Sequence, residues 1–169
     1  RRMIIRTLPN GIRTVWEYRV DGNLGEISHV AQDNHILLQF SYAYRADGRI
    51  GGITELSERG RRSRQYRYDG LGRLIGVRNS SGPDRTYRYN RRGNRTGRVV
   101  DGRESQSGEY DWAGRLVRLD DAECAHDGTG NLTAYPDQGR DRRFEFNGGN
   151  RLRSARTEAG GVEYEYDGG

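Results

Sequence analysis

One short motif is written over and over along this chain. Its clearest copy is Tyr66-Arg67-Tyr68-Asp69-Gly70-Leu71-Gly72-Arg73-Leu74. The pattern is aromatic, any residue, aromatic, Asp or Asn, two residues, Gly, Arg, Leu. It recurs at Tyr87-Arg88-Tyr89-Asn90, at Tyr110-Asp111 with Gly114-Arg115-Leu116, and at His126-Asp127 with Gly130-Asn131-Leu132. Phe144-Glu145-Phe146-Asn147 with Arg151-Leu152 follows, and Tyr164-Glu165-Tyr166-Asp167 opens a last, truncated copy. Upstream stand Tyr42-Ala43-Tyr44 with Gly48-Arg49-Ile50, and a looser Tyr18-Arg19-Val20-Asp21 with Gly25-Glu26-Ile27. The second aromatic slot thus falls at positions 20, 44, 68, 89, 110, 126, 146 and 166. A repeat this regular decides the architecture, because each copy is one small unit that buries its apolar side only against its neighbours.

Each copy reads as a β-hairpin. Tyr66 and Tyr68 alternate with Arg67, the period of two expected of a strand with one covered face. Asp69 then Gly70-Leu71-Gly72 is turn chemistry, with Gly72 suited to the left-handed position of a three-residue loop. That loop sets Asp69 opposite Arg73 and Tyr68 opposite Leu74. Tyr and Leu then share one face, and the Asp–Arg pair takes the other. Between copies, Pro9-Asn10-Gly11, Asn79 to Pro83, Asp101-Gly102 and Ala159-Gly160-Gly161 supply further turns. The reading is an all-β antiparallel meander, one continuous array of about eight copies over residues 1–169, with no separate catalytic domain. The longest helix candidate, Ile53 to Arg64, contains Gly60 and has no apolar stripe at helical spacing, so it reads as a long polar loop. The sixth and seventh copies, with Cys124 and His126 in the aromatic slots and Asn150 in place of the turn Gly, are expected to be bulged or distorted.

Composition closes off other classes. Leu, Ile, Val and Phe make up about 18% of the chain, below the roughly 20% at which disorder becomes a serious reading. Disorder also needs a high net charge, and here it is +5, with eleven Tyr adding apolar surface. No run approaches the about 18 apolar residues of a membrane helix, and no signal peptide opens the chain. The 25 Gly against 3 Pro fit many tight turns. A single cysteine, Cys124, leaves no internal disulfide and no cysteine-rich zinc site. All 29 basic residues are Arg, the codon skew of a GC-rich bacterium. The ends, Arg1-Arg2-Met3 and Tyr166-Asp167-Gly168-Gly169, read as those of a piece of something longer.

The Tyr66–Leu74 motif resembles a YD repeat of the Rhs family, and Thr7-Leu8-Pro9-Asn10-Gly11-Ile12-Arg13-Thr14 resembles the linker common there. The resemblance covers about Arg6 to Gly169. It implies a β-ribbon that spirals into a hollow shell, which in bacterial Rhs proteins and the C components of Tc toxins encloses a C-terminal toxin. Animal teneurins resemble the same shell, but the absence of Lys favours a bacterium. The family's core segment, with its Asp-Pro signature and aspartyl autoprotease, has no counterpart in these residues. The resemblance implies as partners the remainder of the parent shell, its toxin cargo and a secretion-apparatus protein, and it implies export from a bacterium.

The remaining chemistry favours a non-enzyme with no cofactor, no metal and no catalytic residue. His29 and His35 have no carboxylate cluster. Cys124 and His126 share a strand face, as a nucleophile and base would, but no third orienting group accompanies them. Asp120-Asp121-Ala122-Glu123 reads as a solvated turn, since neighbouring strand residues point to opposite faces. Asp127 to Asn131 lacks the sixth-position Gly and final Glu of a calcium loop. Asn79, Asn94 and Asn131 begin Asn-x-Ser/Thr sequons, which in a bacterium are turn composition only. Nucleic acid is disfavoured, because 24 acidic residues are interspersed with the arginines. The slot between the aromatics reads Arg19, Ala43, Arg67, Arg88, Glu109, Ala125, Glu145, Glu165, running from basic to acidic, and Arg–acid pairing between strands is the plainer expectation. Two roles follow: a structural segment of a shell around a toxin, or a β-repeat module binding a glycan or an acidic partner at a cell surface.

Overall fold

The computed structural model describes residues 2–137 and 140–166, so Asp167 of the last copy lies outside the described residues. Two units divide the chain: Arg1–Thr86 with Val100–Gly102, and Tyr87–Val99 with Arg103–Gly169. Among the described residues every regular element is a β-strand, seventeen in all. In the first unit they are β1 (Arg2–Thr7), β2 (Arg13–Tyr18), β3 (Leu24–Val30), β4 (Ile36–Tyr44), β5 (Ile50–Ser57), β6 (Gly60–Tyr68), β7 (Leu74–Asn79) and the start of β8 (Arg85–Tyr89). Each pairs antiparallel with the next. The second unit carries β9 (Arg95–Val100), β10 (Arg103–Tyr110), β11 (Leu116–Leu119) and β12 (Ala122–Glu123). It also holds a five-stranded sheet of β13 (Ala125–His126), β14 (Leu132–Asp137), β15 (Arg140–Phe146), β16 (Leu152–Thr157) and β17 (Gly160–Glu163) in chain order.

The third copy shows how the motif folds. The Asp69 N–H donates to the Arg73 carbonyl and the Gly72 N–H to the Asp69 carbonyl, both at 3.0 Å. Asp69 Oδ1 accepts the N–H groups of Leu71 and Arg73, at 3.0 and 2.9 Å. Gly72 has φ +80°, where any Cβ is strained. Tyr68 then faces Leu74, as the spacing predicts.

A bulge follows that the motif does not announce. The next pair is Arg67 with Gly76, so Ile75 is left over on β7. The same slip occurs beside Tyr18, Tyr44, Tyr110, His126 and Phe146. One extra residue changes the parity of the strand. Leu74 and Val77, three apart, therefore both lie on the face of Tyr66 and Tyr68, while Gly76 lies with Arg67.

Neighbouring copies are tied through the second tyrosine. The hydroxyls of Tyr44, Tyr68, Tyr110 and Tyr166 donate to the carbonyls of Leu24, Ile50, Arg95 and Leu152, at 2.8–3.0 Å. Each acceptor is the first residue after the preceding copy's turn. Turn arginines lie over the same rings, Arg19 on Tyr44 and Arg45 with Arg49 on Tyr68, at 5.8–6.0 Å. Contacts of this cation–π kind are worth about 0.5–1 kcal/mol at exposed sites.

Both faces of the strands keep contact with solvent. Among the described residues Val77 is the one buried apolar side chain, joined by Thr14, Ser28 and Ser154. Most aromatic rings are half-buried, not enclosed, and Trp112, Tyr164 and Tyr166 are exposed.

Three expectations need correction. In the first copy the second aromatic slot is Tyr18, not Val20: Tyr18 faces Leu24, and the Arg19 N–H donates to the Asn23 carbonyl at 2.8 Å. Val20 is a loop residue, 96% exposed. Asp21 misled the alignment, because it supports its turn from the third position, accepting the Asn23 N–H at 3.1 Å. Ile53 to Arg64 is no loop: β5 and β6 meet across Glu58-Arg59, with Ser57 facing Gly60. Finally, the seventh copy is bulged beside Phe146 like the others but not distorted, since Asn150 adopts φ +58° and its N–H closes the usual turn on the Asn147 carbonyl at 2.9 Å. The sixth copy keeps the turn too, and its irregularity is the interruption at Cys124 between β12 and β13.

Half-burial sets the expected cost of losing a ring. Tyr68→Ala should lower stability by about 2–3 kcal/mol, less than a fully buried aromatic. Tyr68→Phe should cost about 1 kcal/mol for the hydroxyl bond, and Arg67→Ala less than about 1 kcal/mol because it is exposed. Thermal melts of the three variants check the order; Arg67→Ala as the most damaging would contradict the assignment of faces.

Candidate functional site

Each repeat turn is closed by its own Asp or Asn, the fourth and seventh by Asn90 and Asn147. Asp111 repeats the Asp69 pattern, accepting the Ala113 and Arg115 N–H groups at 2.9 Å, with Arg115 Nε at 2.7 Å from Oδ2. Asp127 accepts from the backbone of Thr129 and Asn131 and from both of their side chains, at 2.7–3.0 Å. These bonds, the Thr129 hydroxyl first, hold its carboxyl down to about 2. Asp21, Asp47, Asp69 and Asp111 are also lowered, chiefly by the backbone N–H groups they accept.

Successive turns also touch. A Cβ on Gly72 would stand 2.1 Å from Nη2 of Arg49, so the guanidinium of one turn rests on the glycine of the next. Arg92 donates to the Trp112 carbonyl. Asn150 Oδ1 accepts from Thr129 Oγ1 at 3.1 Å and Asn131 Nδ2 at 2.9 Å.

The other sequence candidates fall in separate places. His29 Nδ1 lies 3.1 Å from Thr14 Oγ1 on paired strands, while His35 is an exposed loop residue 3.9 Å from Glu58. Cys124 donates its N–H to the Val117 carbonyl at 2.9 Å, and burial pushes its thiol up, the wrong direction for a nucleophile. His126 faces Leu132 in the aromatic slot. Asp120 sits at φ +52° in a two-residue turn and accepts the Ser107 N–H at 2.6 Å. Asp127 spends its oxygens on its own turn, where a calcium ion would need them. Asn79 ends β7, Asn94 and Asn131 close repeat turns, and Asn131 is hydrogen-bonded to its neighbours. Among the described residues, no three His, Cys, Asp or Glu side chains come together to hold a metal ion. No helix is long and apolar enough to cross a membrane.

The corrected register also changes the slot between the aromatics. It reads Glu17, Ala43, Arg67, Arg88, Glu109, Ala125, Glu145 and Glu165, with arginine confined to the third and fourth copies. Arg88 is ion-paired with Glu104, which lies on β10, beyond the neighbouring strand β9. Arg67 has no carboxylate partner among the described residues. Nothing in the sequence separates Arg67 from Arg88, because pairing depends on which strands come together.

A family model described as Teneurin YD-shell matches residues 8–169. The chain belongs to the YD-shell family. Solved structures agree on the fold. The YD-shell chain is similar to "Crystal Structure of TcdB2-TccC3 without hypervariable C-terminal region", with TM-score 0.55 and 13% identity over 92% of its residues. It is similar to "Crystal Structure of TcdB2-TccC3" at TM-score 0.53 and 14% identity, again over 92%. In both cases it spans 11% of the matched chain's length. No curated protein sequence matches it.

The turn acids give this YD-shell chain an acid-sensitive edge. A carboxyl whose folded pKa is lowered stabilises fully above its unfolded value near 3.8, and that contribution is lost as pH falls through the folded value. Stability measured by urea unfolding should therefore decline between about pH 4 and pH 2. Asp127→Asn should flatten the decline, and an unchanged slope would contradict the role given to this turn.

Proposed function

We propose that this chain is a stretch of wall from an Rhs-type shell whose job is to enclose a C-terminal toxin cargo. The observation that carries this reading is the tie between copies: in four of them the second tyrosine bonds the carbonyl after the previous turn, while both strand faces stay partly open. Such an array gains stability by extension, not by closing around a core of its own. The family match supports the shell architecture. One of the similar structures is described as lacking a hypervariable C-terminal region, the kind of segment a shell would hold.

On this reading the wall is not catalytic. It works by containment, with continuous strand pairing leaving few open edges. Its partners are the remaining shell, the cargo and a secretion-apparatus protein, and the assembly is exported from a bacterium. Limited proteolysis of the full-length protein tests the proposal. The segment after the repeats should resist protease in the intact protein and become sensitive when Tyr44, Tyr68 and Tyr110 are together changed to Ala. Equal sensitivity before and after would argue against enclosure.

A further inference from the structure

Residues 59–86 carry eight arginines against two acidic residues, an excess of six positive charges in 28 residues. Both acids are committed locally. Asp69 serves its own turn and Arg73. Asp84 Oδ1 accepts the Asn79 N–H at 2.8 Å. The other arginines of this stretch, Arg67 and Arg78 among them, have no ion-pair partner among the described residues.

Two of these form a defined groove. Strand register pairs Gln65 with Arg78, Arg67 with Gly76, and Gly76 with Thr86. Gln65, Arg67, Arg78 and Thr86 therefore share one face around a position with no side chain. The hollow there measures about 310 Å3 and is also lined by Val77, Asp84 and Arg85. A Cβ on Gly76 would lie 3.6 Å from both Cβ and Nε of Arg67, so that side chain runs across the glycine. Arg67 and Arg78 are diagonal neighbours on adjacent strands, within reach of long side chains.

The next copy shows what such an arginine takes. Arg88 lies across Gly97, where an added Cβ would sit 2.8–3.1 Å from its guanidinium. That guanidinium is held by the Glu104 carboxylate. The third copy has the same arginine-over-glycine arrangement, but no carboxylate pairs with Arg67 among the described residues: Asp84 lines the same hollow and is turned to the Asn79 N–H.

We propose that the groove over Gly76 binds a carboxylate-bearing stretch of polypeptide, whose Asp or Glu fills the place that Glu104 takes beside Arg88. Paired guanidinium groups match carboxylates by forked hydrogen bonds. Gln65 and Thr86 add an amide and a hydroxyl suited to peptide groups. Nucleic acid fits less well, because single strands need aromatic platforms for their bases. Tyr66 and Tyr68 lie on the opposite face, and the Tyr68 ring is already covered by Arg45 and Arg49. The assignment stands whether or not the chain encloses a toxin.

Fluorescence anisotropy with labelled hexaglutamate and the full chain tests it. Binding should saturate and weaken as salt rises. Arg67→Gln and Arg78→Gln should each weaken it about tenfold, the loss of one charge-assisted contact. Arg67→Lys should weaken it less. Arg6→Gln removes the same charge from β1 and should leave affinity unchanged, with circular dichroism confirming that every variant is folded. An equal loss in Arg6→Gln would reduce the effect to net charge and overturn the proposal. No binding by the unaltered chain would overturn it too, as would tighter binding of a single-stranded oligonucleotide that Arg67→Gln abolishes.

Discussion

An Asp or Asn side chain accepting the backbone N–H groups of its own turn is the contact from which the rest of this chain follows. In the third copy Asp69 holds Leu71 and Arg73, and this fixes a three-residue loop with Gly72 in the left-handed region. The loop fixes the pair Tyr68–Leu74, and the bulge at Ile75 comes directly after it. The bulge brings Leu74 and Val77 to one face. With that face set, the tyrosine hydroxyl reaches the carbonyl after the previous turn. A local hydrogen bond is thereby converted into a tie between copies.

Little else could hold such a chain together. Aliphatic residues are scarce, and neither unit has a thick apolar core. Stability is spread over many modest contacts: ladder bonds, one tyrosine tie per copy in four of them, and arginines lying on rings. Repeat arrays have this quality in general, with energy summed over neighbours rather than concentrated in a centre.

The sequence made the hairpin, its loop and its facing pairs legible, because Tyr, Asp, Gly and Leu each have a strong local preference. The bulge was not legible, since Ile75 looks like any other strand residue. The first copy was misaligned because Asp21 imitates the usual turn acid from two positions later, and the true aromatic pair, Trp16 and Tyr18, was passed over. Ile53 to Arg64 concealed two strands because only Gly60 marks their turn, and the first part of β6, Arg61 to Gln65, is polar throughout. Of the candidate surface, the arginine-rich slots were visible. Which arginine lacks an acid was not, because Arg67 and Arg88 look equivalent until the neighbouring strands are known.

The bulge has a consequence for how such a gene can change. A strand that gains or loses one residue sends every later side chain to the wrong face. Here the repeats differ in length, by odd and even numbers of residues, yet the aromatic slot returns to the same face within each unit. The parity shift is part of the motif, beside the turn that sets it. Whole copies can therefore be duplicated or deleted by recombination without turning the ribbon inside out. A single-codon slip within a strand cannot be absorbed in this way, so variation in copy number is the tolerated route by which the chain lengthens.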